Sequence, residues 1–107
     1  MRFIAMDLAV SVISGLRPIV PLIHRNDRNT AAHMDEASTS IALNLGEGNR
    51  RRGRDRKYLF SVASGSAEEV RTALRVSVAK GNLKEKSAEK VLGDIDQLQA
   101  ILWKLMR

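Results

Sequence analysis

"MDEASTSIALNLGEG", residues Met34–Gly48, decides the fold. Met34, Ala37, Ser38, Ile41, Leu45 and Gly48 recur at steps of three and four, which brings all six onto one face of a helix. The period-two alternation of a half-buried strand is absent. The stretch therefore reads as an amphipathic helix. Just before it, "HRNDRN" (24–29) reads as a connection, with Asn26 or Asp27 a natural N-cap.

The same spacing recurs on both sides. Upstream, Ala5, Leu8, Ala9, Val12, Ile13 and Leu16 form one stripe, which Pro18 and Pro21 should kink or end near Ile23 because each removes a backbone donor. Downstream, Leu59, Val62, Ala63, Ser66, Val70, Ala73 and Ser77 share a face. "KGNLK" (80–84) then reads as a helix stop and restart, with Gly81 at the C-terminal cap. Val91, Ile95, Leu98, Leu102 and Leu105 follow, close to an a/d heptad seam. Four amphipathic segments joined by short turns predict an all-α protein, an antiparallel up-down-up-down four-helix bundle spanning residues 1–107 as one domain.

Composition agrees. The chain has 107 residues, enough for one modest core, and 44% of them are hydrophobic. Aromatics are only 4%, a balance that suits helices packed on helices better than a β-sandwich. With no cysteine, disulfide scaffolds, thiol nucleophiles and zinc–cysteine sites are excluded. The N-terminal apolar run is broken by Asp7 and Arg17, unlike a secretion signal, and no run is long enough to span a bilayer. The expectation is a cytoplasmic protein with no membrane partner.

Enzymatic patterns fail one by one. A di-iron bundle needs Glu-x-x-His on two helices, whereas this chain has only the reversed His33 and Glu36, and His24 lies across a helix start. No metal site is expected. Gly48 and Gly53 match the first spacing of a phosphate loop, but Arg54 and Asp55 follow where Lys and Ser or Thr are needed. Ser64 and Ser66 do not sit in a nucleophile elbow. Glu47, Glu68 and Glu69 cluster, yet Glu47 can reach Arg51, and Glu68 can reach Arg71, one helical turn away; ion pairing is the plainer reading. The expectation is a non-enzyme without a cofactor.

Two structural expectations concern the middle and the end of the chain. If the turn centres near Arg52 and Gly53, antiparallel pairing sets Ile41 beside Ser64 and Gly65, and Asn44 beside Ser61. Gly65 inside a helix costs about 1 kcal/mol relative to Ala, which a close approach of the preceding helix would explain. Ser66 and Asn44 should find hydrogen-bond partners if buried. In the last segment Leu92 and Trp103 lie about 100° or more from the Leu98 seam, with Met106 between. Trp103 either folds over the end of the bundle or, with Leu92 and Met106, forms a self-association surface.

The motifs "SIALNLGEG" (40–48) and "FSVASGSAEEVRTAL" (60–74) resemble the four-helix-bundle family encoded in intervening sequences of bacterial large-subunit ribosomal RNA genes. The matching positions are Ser40, Ile41, Asn44, Glu47 and Gly48, then Phe60, Ala63 or Ser64, Gly65, Ser66 and Glu69. Gly46 departs from the pattern, where the family usually has alanine. The resemblance implies a cytoplasmic bacterial bundle that assembles as a homopentamer. It also implies a more distant similarity to the accessory protein of diversity-generating retroelements, a basic pentamer that partners a reverse transcriptase and binds nucleic acid. The signature positions read as mainly structural, holding the hairpin together.

Between the two motifs stands "RRRGRDRK" (50–57). The net charge is +6, and this segment carries +5 of it. Arg50, Arg51 and Arg52 would lie at a helix C-terminus, where the dipole favours cations; Arg54, Arg56 and Lys57 would open the next helix, where it opposes them. Stability does not account for the second three. A polyanion touching both helix ends would, so the six are candidate nucleic-acid ligands for RNA or DNA, contacting phosphates with little sequence preference. The alternatives are a protein-docking or scaffolding surface, and a solvated turn that keeps the bundle soluble.

Overall fold

A computed structural model of the chain describes residues 2–107. It is all-helical: α1 (Ile4–Leu16), α2 (Ile19–His24), α3 (Arg28–Asn49), α4 (Gly53–Ala79) and α5 (Glu85–Met106). No strand occurs among the described residues. The expected first segment is two helices, because the chain breaks at Arg17 and Pro18 before restarting as α2. Asp27 is the N-cap of α3, its carboxylate accepting from the Thr30 amide at 3.1 Å and from the Thr30 hydroxyl at 2.7 Å. At the far end of α4, Gly81 takes φ 79°, the Asn82 amide donates to Ser77 O at 2.9 Å, and the Gly81 amide donates to Val78 O at 3.0 Å. That pair of bonds satisfies the last carbonyls and turns the chain into α5.

Polar contacts tie α3 to α4, α4 to α5 and α1 to α5. Ser40 Oγ of α3 lies 2.8 Å from Ser66 Oγ of α4 across the three-residue turn. Ser64 Oγ donates to Gln99 Oε1 at 2.7 Å, and Gln99 Nε2 returns to Ser64 O at 2.9 Å, while Arg71, farther along α4, pairs with Asp96, earlier in α5. On the other flank Ser11 of α1 donates to Asp94 of α5 at 2.6 Å, with Lys90 bridging to both. The molecule measures 42 × 22 × 20 Å, and α4 alone runs about 40 Å at 1.5 Å per residue. Core residues from every helix meet along the axis, among them Val12, Ile23, Ile41, Leu45, Phe60, Val70, Leu74, Ile95 and Leu98.

The stripes are read correctly in some helices and shifted in one. All six positions expected to be inward in α3 are buried, as are Val91, Ile95, Leu98 and Leu102 of α5. In α4 the buried set is Phe60, Ala63, Ala67, Val70, Ala73, Leu74 and Ser77; Leu59, Val62 and Ser66 stand at its margin. The close-approach glycine is also different. A Cβ on Gly65 would meet nothing within 4 Å, so this residue faces open space. Gly48 is the position that needs no side chain: a Cβ there would sit 2.8 Å from Phe60 Cε1. Gly15 plays the same part against Val91 at 2.7 Å. The Ser66 and Asn44 side chains do find partners, both at Ser40: Asn44 Nδ2 donates to Ser40 O at 2.9 Å and to its Oγ at 3.1 Å.

Candidate nucleic-acid interface

The six cations of the α3–α4 turn occupy three kinds of environment. Arg51 is engaged by Glu47, four residues back on α3, through both Nε and Nη2. The hydrogen bond from Arg51, with its charge, holds the Glu47 carboxyl below the usual range. Arg56 turns inward. Its Nη1 donates to Asn49 O, the last residue of α3, at 3.3 Å, and its guanidinium stands 4.7 Å over the Phe60 ring. A cation that opens α4 thus caps the negative end of α3 and covers the aromatic on which Phe3 stacks at 6.0 Å. Stability accounts for Arg56, contrary to the sequence expectation.

Arg50, Arg52, Arg54 and Lys57 have neither an ion pair nor a side-chain hydrogen bond among the described residues. Arg50 is the C-cap of α3. Arg52 is the extended N-cap of α4, with φ −132° and ψ 158°, and gives no side-chain cap. It therefore faces the positive end of α4, not the negative end of α3 where the sequence suggested it would lie. Gly53 follows at φ 60°, a left-handed turn that only glycine adopts without strain. Arg52, Arg54 and Lys57 thus crowd one helix start, with Asp55 the acid in that first turn, while the exposed Arg50 stands at the end of α3, whose dipole favours it.

The turn has two unlike sides. Facing α3, a shallow depression of about 300 Å³ is lined by Glu47, Arg51, Asp55, Tyr58 and Leu59; its two carboxylates make it a poor seat for phosphate. Lys57 lies on the other side of α4, the side that carries Ser64 and Arg71 toward α5. The signature positions distribute as structure and surface: Ile41 and Gly48 are buried, Ser40, Asn44 and Ser66 form the polar contact described above, and Glu47, Gly65 and Glu69 are exposed. Of the three residues expected at a self-association surface, Leu92 and Met106 are half-buried against the core, and Trp103 is 60% exposed. No helix is long and apolar enough to cross a membrane among the described residues. No group of three potential metal ligands gathers there either.

A family model, 23S rRNA-intervening sequence protein, matches residues 4–104. The chain belongs to that family. Its fold is shared with a crystal structure from Bacteroides thetaiotaomicron, a protein of unknown function from the S23 ribosomal protein family. The two superpose with a TM-score of 0.86 over 96% of this chain and 98% of the other, at 14% identity. At that identity the likeness concerns the fold alone. Comparison with curated proteins gives no match.

Proposed function

We propose that this member of the 23S rRNA-intervening sequence protein family is a non-enzymatic, homo-oligomeric, antiparallel four-helix bundle. In this reading α1 and α2 together form one kinked leg of the bundle, and the protein binds the phosphate backbone of RNA or DNA through the α3–α4 turn. One observation carries the nucleic-acid reading. Arg50, Arg52, Arg54 and Lys57 are unpaired at a turn where mutual repulsion opposes them, and the α4 dipole opposes Arg52, Arg54 and Lys57 as well; a polyanion reverses both terms. Arg51 and Arg56 are engaged within the fold and serve the site by shaping it. A closed ring of subunits, which the resemblance implies, repeats the turn and adds avidity without a new contact type. Cytoplasmic localisation fits the same reading.

The test is fluorescence anisotropy of labelled RNA and DNA across a salt series. Four phosphate contacts on a duplex give a log–log salt slope of about −3.6. Changing Arg50, Arg52, Arg54 and Lys57 together to Gln abolishes binding at moderate salt and leaves the helical circular dichroism intact. Absence of binding at low salt, or equal binding by the variant, overturns the reading. A protein-docking role is the second reading, favoured by the exposed Leu43 (67%) and Tyr58 (68%). Capture of an acidic protein by the same four cations, with no affinity for nucleic acid, would establish it.

A further inference from the structure

The residues that sequence reasoning assigned to different tasks, Lys57 to the basic turn and Trp103 to self-association, come together at one end of the α4–α5 groove. The Ser64–Gln99 hydrogen bonds fix the register of these antiparallel helices. Trp103 is one turn beyond Gln99 on the same side of α5, about 6 Å farther toward the α3–α4 turn. Lys57 is two turns before Ser64 on the same side of α4, about 10 Å in the same direction. Beside Trp103, the Arg107 guanidinium lies 4.5 Å over the indole ring, so one face of the indole is backed by a cation. The residue remains 60% exposed.

We infer that this corner is a stacking site for an unpaired base, and that the ligand of the basic turn is single-stranded nucleic acid in preference to duplex. The inference rests on the phosphate-binding reading above and specifies its substrate class. An indole held flat by a guanidinium on one face offers the other to a base, and such stacking needs no particular sequence. The phosphates on either side of that base fall toward Lys57, Lys104 and Arg107 at the groove mouth and toward Arg54 and Arg52 at the turn. Duplex bases are already stacked on one another and cannot use the indole. Farther along the same groove Asp96 and Glu85 balance Arg71 and Arg75, with Arg71 paired to Asp96, so the lining there offers a phosphate chain no net positive charge.

Charge also opposes a two-fold contact of this corner with the same corner of a second copy. The cations nearest Trp103 along α4, α5 and the residue after it are Lys57, Lys104 and Arg107, and a two-fold contact would press two such sets together; a head-to-tail ring contact would set them against a different face, which the oligomeric state of Trp103→Ala tests. Leu92 and Met106, needed to make the strip broad, are half-buried within their own subunit. An exposed indole backed by Arg107, with Lys57 and Lys104 close by in the helical register, complements a base flanked by phosphates.

Trp103 is the single tryptophan of the chain, so its emission reports on this corner alone. Titration with a short oligouridylate or oligothymidylate is expected to quench that emission, and an RNA duplex of equal length is expected to bind without quenching. The Trp103→Ala variant loses roughly tenfold or more in single-strand affinity with duplex affinity unchanged, and Trp103→Phe recovers part of the loss. Oligouridylate and oligothymidylate, compared directly, separate RNA from DNA. Equal single-strand binding by Trp103→Ala, with no quenching, overturns the stacking site but leaves the phosphate grip standing. A changed oligomeric state in Trp103→Ala assigns the indole to a subunit interface and overturns it as well. No binding of any nucleic acid overturns both readings.

Discussion

Gly48 and Gly65 stand in the two helices of one hairpin, in opposite environments. At Gly48 a methyl group would enter the ring of Phe60, which is itself fully buried, stacked on Phe3 and covered by Arg56. The ring cannot withdraw without breaking those contacts. Gly48→Ala is therefore expected to destabilise by about 1–3 kcal/mol through overpacking, and to lower Tm by several degrees. At Gly65 a methyl group meets nothing, and the helical backbone gains. Gly65→Ala should stabilise by about 1 kcal/mol and raise Tm by roughly 4–8 °C. Thermal melts by circular dichroism decide both, and a fall on Gly65→Ala would show that the backbone there is approached from outside the subunit. From sequence the two were not separable. Both are glycines in the same pair of motifs, and the discriminating fact is where the Phe60 ring goes, a matter of packing across the hairpin.

At the scale of the element, α3 could be read because its contrasts are sharp. The large apolar residues Met34, Ile41 and Leu45 fall on one stripe with Leu43 alone off it, so one phase fits best. In α4 the stretch "SVASGSA" (61–67) offers small residues on every side, and the phase drifts until Phe60 and Leu74 fix it. The α3 start carries a prediction of its own. Asp27 is lowered from 3.8 to about 2, first by the Thr30 hydroxyl, then by Lys80 just after α4, whose Nζ lies 2.9 Å away, and by the Thr30 amide. A carboxyl held below its unfolded value contributes stability that is complete above about pH 4 and is lost as pH falls toward 2. The melting temperature should drop across that window. Asp27→Asn keeps a capping oxygen but has nothing to titrate, so its melting temperature should be less sensitive to pH there. Asp94 and Glu47 lie below the usual range as well: burial works to raise Asp94, and the bonds from Ser11 and Lys90 outweigh it. The difference between wild type and Asp27→Asn isolates the cap. Parallel curves would show that the Asp27 carboxylate is not what protonates.

The whole molecule separates its charge from its architecture. Outside residues 50–57 the chain is close to neutral, +1 of the total +6, and its carboxylates meet cations along the helices at Asp7, Asp27, Glu68, Asp94 and Asp96. Within the turn Arg51 and Arg56 serve the fold, Arg50 sits at the favourable end of α3, and Arg52, Arg54 and Lys57 burden the fold. That division was hidden in the sequence, where Arg54 and Arg56 look alike; only the helix phase sends Arg56 to Asn49 O and leaves Arg54 outside. A burden of this kind has a measurable signature. At low ionic strength the cations see one another and the α4 dipole, because the Debye length of about 30 Å at 0.01 M exceeds the whole turn. Added salt screens that repulsion, so the wild-type Tm should rise by about a few degrees between low salt and physiological salt. The triple variant Arg52→Gln, Arg54→Gln, Lys57→Gln should melt higher than wild type at low salt, and the two should converge as salt is added. It should also have lost most of its affinity for oligouridylate, so that stability gained and binding lost are read on one protein. If instead the variant melts lower at every salt concentration, the cluster stabilises the fold. The reason for assigning these side chains to a ligand then disappears.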